Sequence, residues 1–254
     1  MTLKLSEKPK QLFSTGLIIG AGCLTSISSA QADFAGFRVG ADAWMQEWTD
    51  TKVSDGTDSA SLDDSLDSKD VNISIYAALE HPLPLLPNIR VRATDLEIDE
   101  SSEQSFTLGG AAITPATDIE ADLSHQDFTL YYELIDLVVS LDIGLTMRKF
   151  DGGVEFSNAG TVVNEVKLDD WIPMVYGATG IDLPFTGVSL NIEVLTTDFD
   201  DTKNTDYKVG IGYELGLGLA VELGYRRFTL EREDDDKQFD ATVEGAYGSL
   251  LYRF

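Results

Sequence analysis

The chain holds two histidines, His81 and His125, the natural places to look for acid–base chemistry. An imidazole beside a carboxylate can move a proton near neutral pH, so His125 with the pair Asp169-Asp170 is the arrangement from which a hydrolase would have to be built. Neither histidine stands in a local motif. Ser124-His125 carries no nucleophile signature, and His81 precedes Pro82 in a short turn, where a structural role suffices. Paired acids are frequent in this chain by composition alone, so no catalytic residue is assigned and the chain is not expected to be an enzyme. Asp234-Asp235-Asp236 and the seven aspartates between 50 and 70 offer the hard oxygens Ca²⁺ favours, but without an EF-hand spacing. A run of like charge is ordinarily a solvated face. The single cysteine, Cys23, excludes an internal disulfide, and no CxxC or Cys/His zinc pattern occurs. Gly210-Ile211-Gly212 with Gly216 and Gly218 has the spacing GxGxxxG across a strand hairpin, with no helix following, so it is no nucleotide loop. No cofactor and no specific metal site are expected.

Residues of these types must be positioned by something, and charge and hydropathy say what. The 254 residues include 44 acids and 18 bases, a formal net charge of -26, which excludes a nucleic-acid binder that needs a basic face. Such acidity often means disorder. With 43% hydrophobic residues, however, the charged and apolar residues must be segregated. No run of about 20 apolar residues, the length of a membrane helix, is present.

The first 32 residues read as a secretory signal peptide: basic Lys4, Lys8 and Lys10, an uncharged stretch from Leu12 to Ile27, then Ala30-Gln31-Ala32 as the cleavage site. The stretch is short and rich in Gly, Ser and Thr, unlike an anchoring helix. Gly20-Ala21-Gly22-Cys23 resembles a lipoprotein box but has Gly20 where a large aliphatic is usual. Cleavage after Ala32 removes three lysines and Glu7, so -26 becomes -28 for residues 33–254.

Beyond it, the apolar pattern has period two. Val139, Leu141, Ile143, Leu145 and Met147 alternate with Ser140, Asp142, Gly144, Thr146 and Arg148, two faces of one strand. The same pattern predicts ten strands, at about 34–48, 70–80, 89–99, 125–135, 138–150, 170–181, 187–198, 205–215, 217–230 and 240–254. In the third, Asp95 and Glu97 break the apolar face, which predicts a bulge or an early exit from the membrane. The sixth carries Pro173, which removes a ladder hydrogen bond. Strands of 10 to 14 residues span a bilayer when tilted, and an even number closes into a barrel with no free edge, as hydrocarbon demands. The fold class is therefore all-β: a ten-stranded antiparallel up-and-down transmembrane β-barrel over residues 33–254. A soluble lipocalin-like barrel would alternate too, but with aliphatics inside.

Connection lengths alternate as well. The segments 81–88, 136–137, 182–186 and Gly216 are short, whereas 49–69, 100–124, 151–169, 199–204 and 231–239 are longer than their neighbours, as in barrels with short periplasmic turns and long outer loops. The segments 50–70, 99–122, 151–170, 198–206 and 231–240 hold 28 acids and 6 bases, so the acidity is mostly a property of the outer rim.

Strand parity then assigns a lumen. Inward bases are Arg38, Arg90, Arg92, Arg148, Lys208, Arg226 and Arg253; inward acids are Asp42, Glu80, Asp127, Glu133, Asp142, Glu193, Glu214 and Glu222. Seven against eight predicts a salt-bridged interior, since unpaired charge in a narrow low-dielectric space is costly. Trp44, Trp48, Tyr76 and Tyr131 point in as well, leaving little room. Ten strands are too few for a general porin, which needs about 16–18. Outward Phe37, Tyr213, Tyr252 and Phe254 near the short turns, and Phe128, Tyr207 and Tyr225 near the long connections, suit two interfacial belts.

The chain ends Tyr247-Gly248-Ser249-Leu250-Leu251-Tyr252-Arg253-Phe254. Terminal Phe254, with Tyr252 and Leu250 two and four places before it, resembles the C-terminal signal that outer-membrane barrels present to the barrel assembly machinery, with Ser249 where that signal usually has Gly. With the leader and the ten-strand pattern, the chain is similar over its mature length to small single-domain Gram-negative outer-membrane β-barrel proteins. The resemblance implies an outer-membrane location and an assembly route, not an activity. The expected role is non-enzymatic: structural, or a surface-interaction module acting through acidic extracellular loops, with outer-membrane lipid and lipopolysaccharide as partners, bridged by divalent cations. The alternatives are a narrow cation-preferring channel for small solutes and a rim-sited hydrolase.

Overall fold

The computed structural model describes residues 36–54, 58–66, 69–83, 85–115, 117–199, 201–234 and 237–254. The expected leader, residues 1–32, lies outside the described residues, as do Asp235 and Asp236. Described elements are all strands, in the order β1 (Gly36–Ser54), β2 (Ser59–Ser61), β3 (Lys69–Glu80), β4 (Asn88–Thr94), β5 (Glu97–Ser101), β6 (Phe106–Leu108), β7 (Ala111–Ile113), β8 (Thr117–Asp122), β9 (His125–Asp136), β10 (Val139–Phe150), β11 (Gly152–Asn158), β12 (Thr161–Leu168), β13 (Trp171–Leu183), β14 (Val188–Phe199), β15 (Thr202–Gly216), β16 (Leu219–Asp234) and β17 (Lys237–Arg253).

Ten of them make a closed antiparallel barrel in the order β1, β3, β4, β9, β10, β13, β14, β15, β16, β17, with β17 pairing back on β1. Closure runs from Arg38 opposite Arg253 through Trp44 opposite Tyr247, with a bulge between Thr49 and Lys52. Because the period of a strand is two, the apolar set of each falls on one face. That face is outward: Val71, Ile73 and Ile75 on β3, Leu130 on β9, Leu145 on β10, Ile211 on β15 and Leu223 on β16 are each half or more exposed. An apolar girdle on a closed ladder with no free edge suits hydrocarbon and would be unfavourable in water. It is rimmed by aromatic groups. Phe254 packs on Phe37 and Tyr252 at one end, with ring centroids 5.3 and 4.5 Å apart, and Phe128 on Trp171 at the other, at 5.8 Å. The expected belt residue Tyr207 is only half-exposed.

The short turns lie where the connection lengths put them. That between β15 and β16 comprises Leu217 and Gly218, with Gly216 and Gly218 at φ 88° and 79°, a conformation glycine adopts without a Cβ clash. This accounts for the glycine-rich run.

At the opposite end, two expected loops are not loops. The segments 100–124 and 151–169 carry a four-stranded sheet, β12-β11-β8-β5, and a small hairpin, β6-β7. Ile98, Ile119, Ala121, Val154 and Phe156 are buried and alternate with acids at 97, 99, 118, 120 and 155. Such alternation is a half-buried strand in water: apolar residues turn inward and carboxylates outward, the reverse of the girdle. Acid density had masked a period-two pattern. β4 gives way to β5 at Asp95-Leu96, the exit that Asp95 and Glu97 announce, and β5 continues upward paired only with β8. The expected loops 199–204 and 231–239 are likewise the ends of long hairpins, β14–β15 and β16–β17.

Candidate functional site

Inward positions succeed one another along each strand in a fixed chemical order. On β10 they are Asp142, Gly144, Thr146, Arg148 and Phe150; on β16, Glu222, Gly224, Arg226, Phe228 and Leu230. From the short-turn end toward the outer sheet, the lumen passes from carboxylates to bases, then to aromatic rings, then to aliphatics.

The first level is open. A cavity of about 500 Å³ reaches the short-turn end, where Pro184 and Gly187 border it. Glu133, Asp142, Glu214 and Glu222 face it, as do Asp136 and Asp182. Glu133 stands directly opposite Asp142 across β9 and β10. Two carboxylates so placed repel unless something cationic lies between them. The evenly paired interior expected from the count of seven bases and eight acids is thus found only deeper in. Glu222 is held by the Tyr247 hydroxyl and the Asn191 amide, and Arg253 lies exposed at the barrel end.

The second level is where the bases begin. Arg38 pairs with Glu80, whose carboxylate also accepts from the Tyr131 hydroxyl at 2.9 Å. Arg90 and Arg92 converge on Glu193, Arg92 at 2.7 Å. Lys208 donates to Asp42 at 2.6 Å, and Ser249 donates to the other oxygen of Asp42. Tyrosine rings floor these cations: Arg90 lies 4.7 Å from the Tyr76 centroid and Lys208 4.3 Å from that of Tyr247. Room for the rings comes from glycine. A Cβ on Gly210 would lie 2.9 Å from the Glu222 side chain and closer still to the Tyr247 hydroxyl.

The third level is a fully buried quartet. Arg148 grips Asp127 with two parallel bonds of 2.7 and 2.8 Å, and reaches Asp206 at 2.9 Å and the Asn204 side-chain Oδ1 at 2.8 Å. Arg226 makes its own fork to Asp206, 2.9 and 2.7 Å, and donates to Ser74 at 3.1 Å. Bidentate pairs of this kind are the strongest side-chain bonds available. Asp206 is absent from the lumen charges read off the sequence, which had placed it in an acidic outer segment. It shares parity with Lys208 two residues on, and that was the available signal.

Above the quartet the lumen is mainly apolar, with Gln46 buried in it and donating to the Glu97 carbonyl oxygen at 3.1 Å. The ring of His125 stacks on Phe228 at 5.6 Å and lies 5.3 Å from Phe150, and its Nδ1 bonds the Leu123 carbonyl oxygen at 2.8 Å. Trp44 and Trp48 are buried beside Leu62, Leu96, Leu108, Ile113, Leu230 and Val243. The Leu108 carbonyl accepts from Asn164 at 2.8 Å, which ties the β6–β7 hairpin to β12. His125 therefore belongs to the inner core, not to a rim. Asp169 and Asp170, the acids a hydrolase would need beside it, are engaged elsewhere, Asp169 with Lys149 and Asp170 with Arg232. His81 caps its own turn, its Nε2 3.1 Å from the Pro87 carbonyl oxygen. Among the described residues, no group of three His, Cys, Asp or Glu is arranged to hold a metal ion. Leu250, Tyr252 and Phe254, the residues of the C-terminal motif, lie exposed on the barrel exterior.

No protein-family model matches the sequence. No curated protein matches it either. Among solved structures, the chain is similar to the outer membrane protease OmpT from Escherichia coli, at 10% identity over 86% of this chain and 97% of that one, with a TM-score of 0.51. It also aligns with the P. putida toluene transporter TodX, at 10% identity over 88% of this chain and 91% of that one, but with a TM-score of only 0.32. A Pseudomonas aeruginosa FadL homologue gives 8% identity over 87% and 89%, with a TM-score of 0.34. At such identities the likeness is one of fold, and the fold is the closed ten-stranded barrel of Gram-negative outer-membrane proteins.

Proposed function

We propose that this outer-membrane-type barrel is a closed, non-enzymatic envelope protein, which spans the outer membrane and presents a rigid acidic surface outside the cell. The observation that carries the reading is the sealed outer half of the lumen. A hydrated ion entering from the short-turn end passes the open carboxylates and the pairs of Arg38, Arg90, Arg92 and Lys208, and then meets the Arg148–Asp127–Asp206–Arg226 quartet, none of whose members is more than slightly exposed, and behind it a packed apolar core. Crossing the quartet means breaking buried ion pairs, and crossing the core means losing hydration in a dry interior. The cation-preferring channel is accordingly the weaker reading, although the carboxylates at the short-turn mouth would favour cations there. A rim-sited hydrolase is weaker again, because His125 is buried in the lumen and packed against Phe228 and Phe150.

Short turns mark the periplasmic end and the four-stranded sheet the outside, by the ordinary asymmetry of such barrels. On that sheet Asp99, Asp118 and Glu120 point to solvent. We take their partners to be lipopolysaccharide phosphates, bridged by Mg²⁺ or Ca²⁺. Leu250, Tyr252 and Phe254 are the handle for the assembly machinery. The deciding experiment is single-channel recording in a planar bilayer, with barrel purified from cells expressing the full chain. A silent bilayer containing folded protein supports the closed reading. Stable cation-selective steps overturn it in favour of the channel.

A further inference from the structure

The open half of the lumen is a pocket with two unsatisfied ends, and we propose that it binds a small zwitterion of short-peptide type, with the ammonium between Glu133 and Asp142 and the carboxylate on Arg92. This goes beyond the closed-barrel reading, which needs nothing in the pocket. Three observations carry it. The cavity, about 500 Å³, falls in the size range of small-molecule sites. At one side, Glu133 and Asp142 face each other in register without a cationic partner among the ion pairs of the described residues. At the other, two guanidinium groups share one carboxylate, Glu193, so one positive charge is uncompensated there. Arg92 is 2% exposed, yet its Nε and Nη2 have no hydrogen-bond partner, a costly state that a ligand carboxylate would relieve.

Asp142 and Glu193, the carboxylate that Arg92 reaches across the lumen, lie in one register row. Asp142 pairs with Ala178, and Ala178 with Glu193, so two strand spacings, about 10 Å, separate them. Ala178 between them is small and leaves the space above it empty. A tripeptide, at about 3.3–3.6 Å per residue extended, carries its ammonium and carboxylate about that far apart.

The test is isothermal titration of the purified full-length barrel in detergent with trialanine, N-acetyl-trialanine and trialanine amide. Trialanine should bind saturably and 1:1, and each blocked peptide at least tenfold more weakly. In the Glu133→Gln, Asp142→Asn double variant, trialanine should fall to the level of the acetylated peptide, and the acetylated peptide should be unchanged. Ala178→Trp, which fills the pocket without altering a charge, should abolish binding while the barrel keeps its heat-modifiable electrophoretic mobility. The proposal is overturned if no peptide binds, if all three bind alike, or if Ala178→Trp binds as tightly as the parent. Equal binding of the amide and the free acid also overturns it, in favour of a simple cation site.

Discussion

Arg148 and Arg227 are both arginines paired with a carboxylate across neighbouring barrel strands, and they should behave in opposite ways. Arg148 is fully buried, and removing it strands Asp127 and half of Asp206 in a low-dielectric interior. Arg148→Met should cost about 3–5 kcal/mol, the range for breaking a buried pair by deleting one partner. Arg227 lies on the exterior, 3.4 Å from Glu244 with both side chains partly exposed, and Arg227→Ala should cost at most about 1 kcal/mol. Urea unfolding in detergent micelles followed by tryptophan fluorescence compares the two directly; equal losses would mean that the quartet is wetter than its burial implies. His125→Phe replaces an imidazole whose Nε2 has no hydrogen-bond partner and which already packs against two phenylalanines. It should leave stability unchanged or raised in the same assay, whereas marked destabilisation would show that the Nδ1 bond to Leu123 matters more than the stack. Gly210→Val drives a side chain into Tyr247 and Glu222 and should cost about 1–3 kcal/mol by overpacking. Parity alone placed Arg148, Arg226, Lys208 and Trp44 inside, because a strand gives each side chain only two directions. What parity cannot give is distance around the ring. The sharing of Glu193 by two arginines, and the lone opposition of Glu133 and Asp142, depend on which strands face each other across the lumen.

All ten barrel strands were legible, since a membrane face tolerates few interruptions and the alternation runs clean for several residues at a time. The outer sheet was not. Its strands are short, their outward positions are acidic, and Val, Ile or Phe occurs only at every second place, so charge density spoke louder than period. The structure shows that Leu108 and Ile113 of the β6–β7 hairpin are almost wholly buried in the outer core. Each should contribute about 1.5–3 kcal/mol by burial. Replacing residues 105–114 with a short Gly-Ser linker should therefore loosen β11 and β12 without disturbing the barrel, whose ladder does not include the hairpin. Brief proteinase K treatment of intact cells is the readout: faster cleavage within 152–168 and an unchanged heat-modifiable barrel core are expected. Cleavage no faster than in the parent would mean that the sheet is held by its own ladder alone.

At the scale of the whole molecule, two seals of different chemistry lie in series, and a pore requires both to fail. The ionic quartet closes the lumen by mutual attraction of four fixed charges, and the outer core closes it by dryness. Deleting the β6–β7 hairpin removes only part of the second seal, and an ion would still meet Arg148 and Arg226 clasped on Asp206. Neutralising the quartet with Asp127→Ser, Arg148→Ser, Asp206→Ser and Arg226→Ser leaves no unpaired member and creates a wet gap there. The gap would nevertheless end against Phe150, Phe228 and Leu230, all fully buried. Planar-bilayer recordings should thus be silent for the parent and for each of these two changes alone, and should show discrete steps only when they are combined. Steps from the quartet variant alone would make the ion pairs the whole gate and the outer core a porous lid. Silence from the combined variant, with insertion demonstrated, would place the seal higher, in Leu62, Leu96 and the remainder of the outer core.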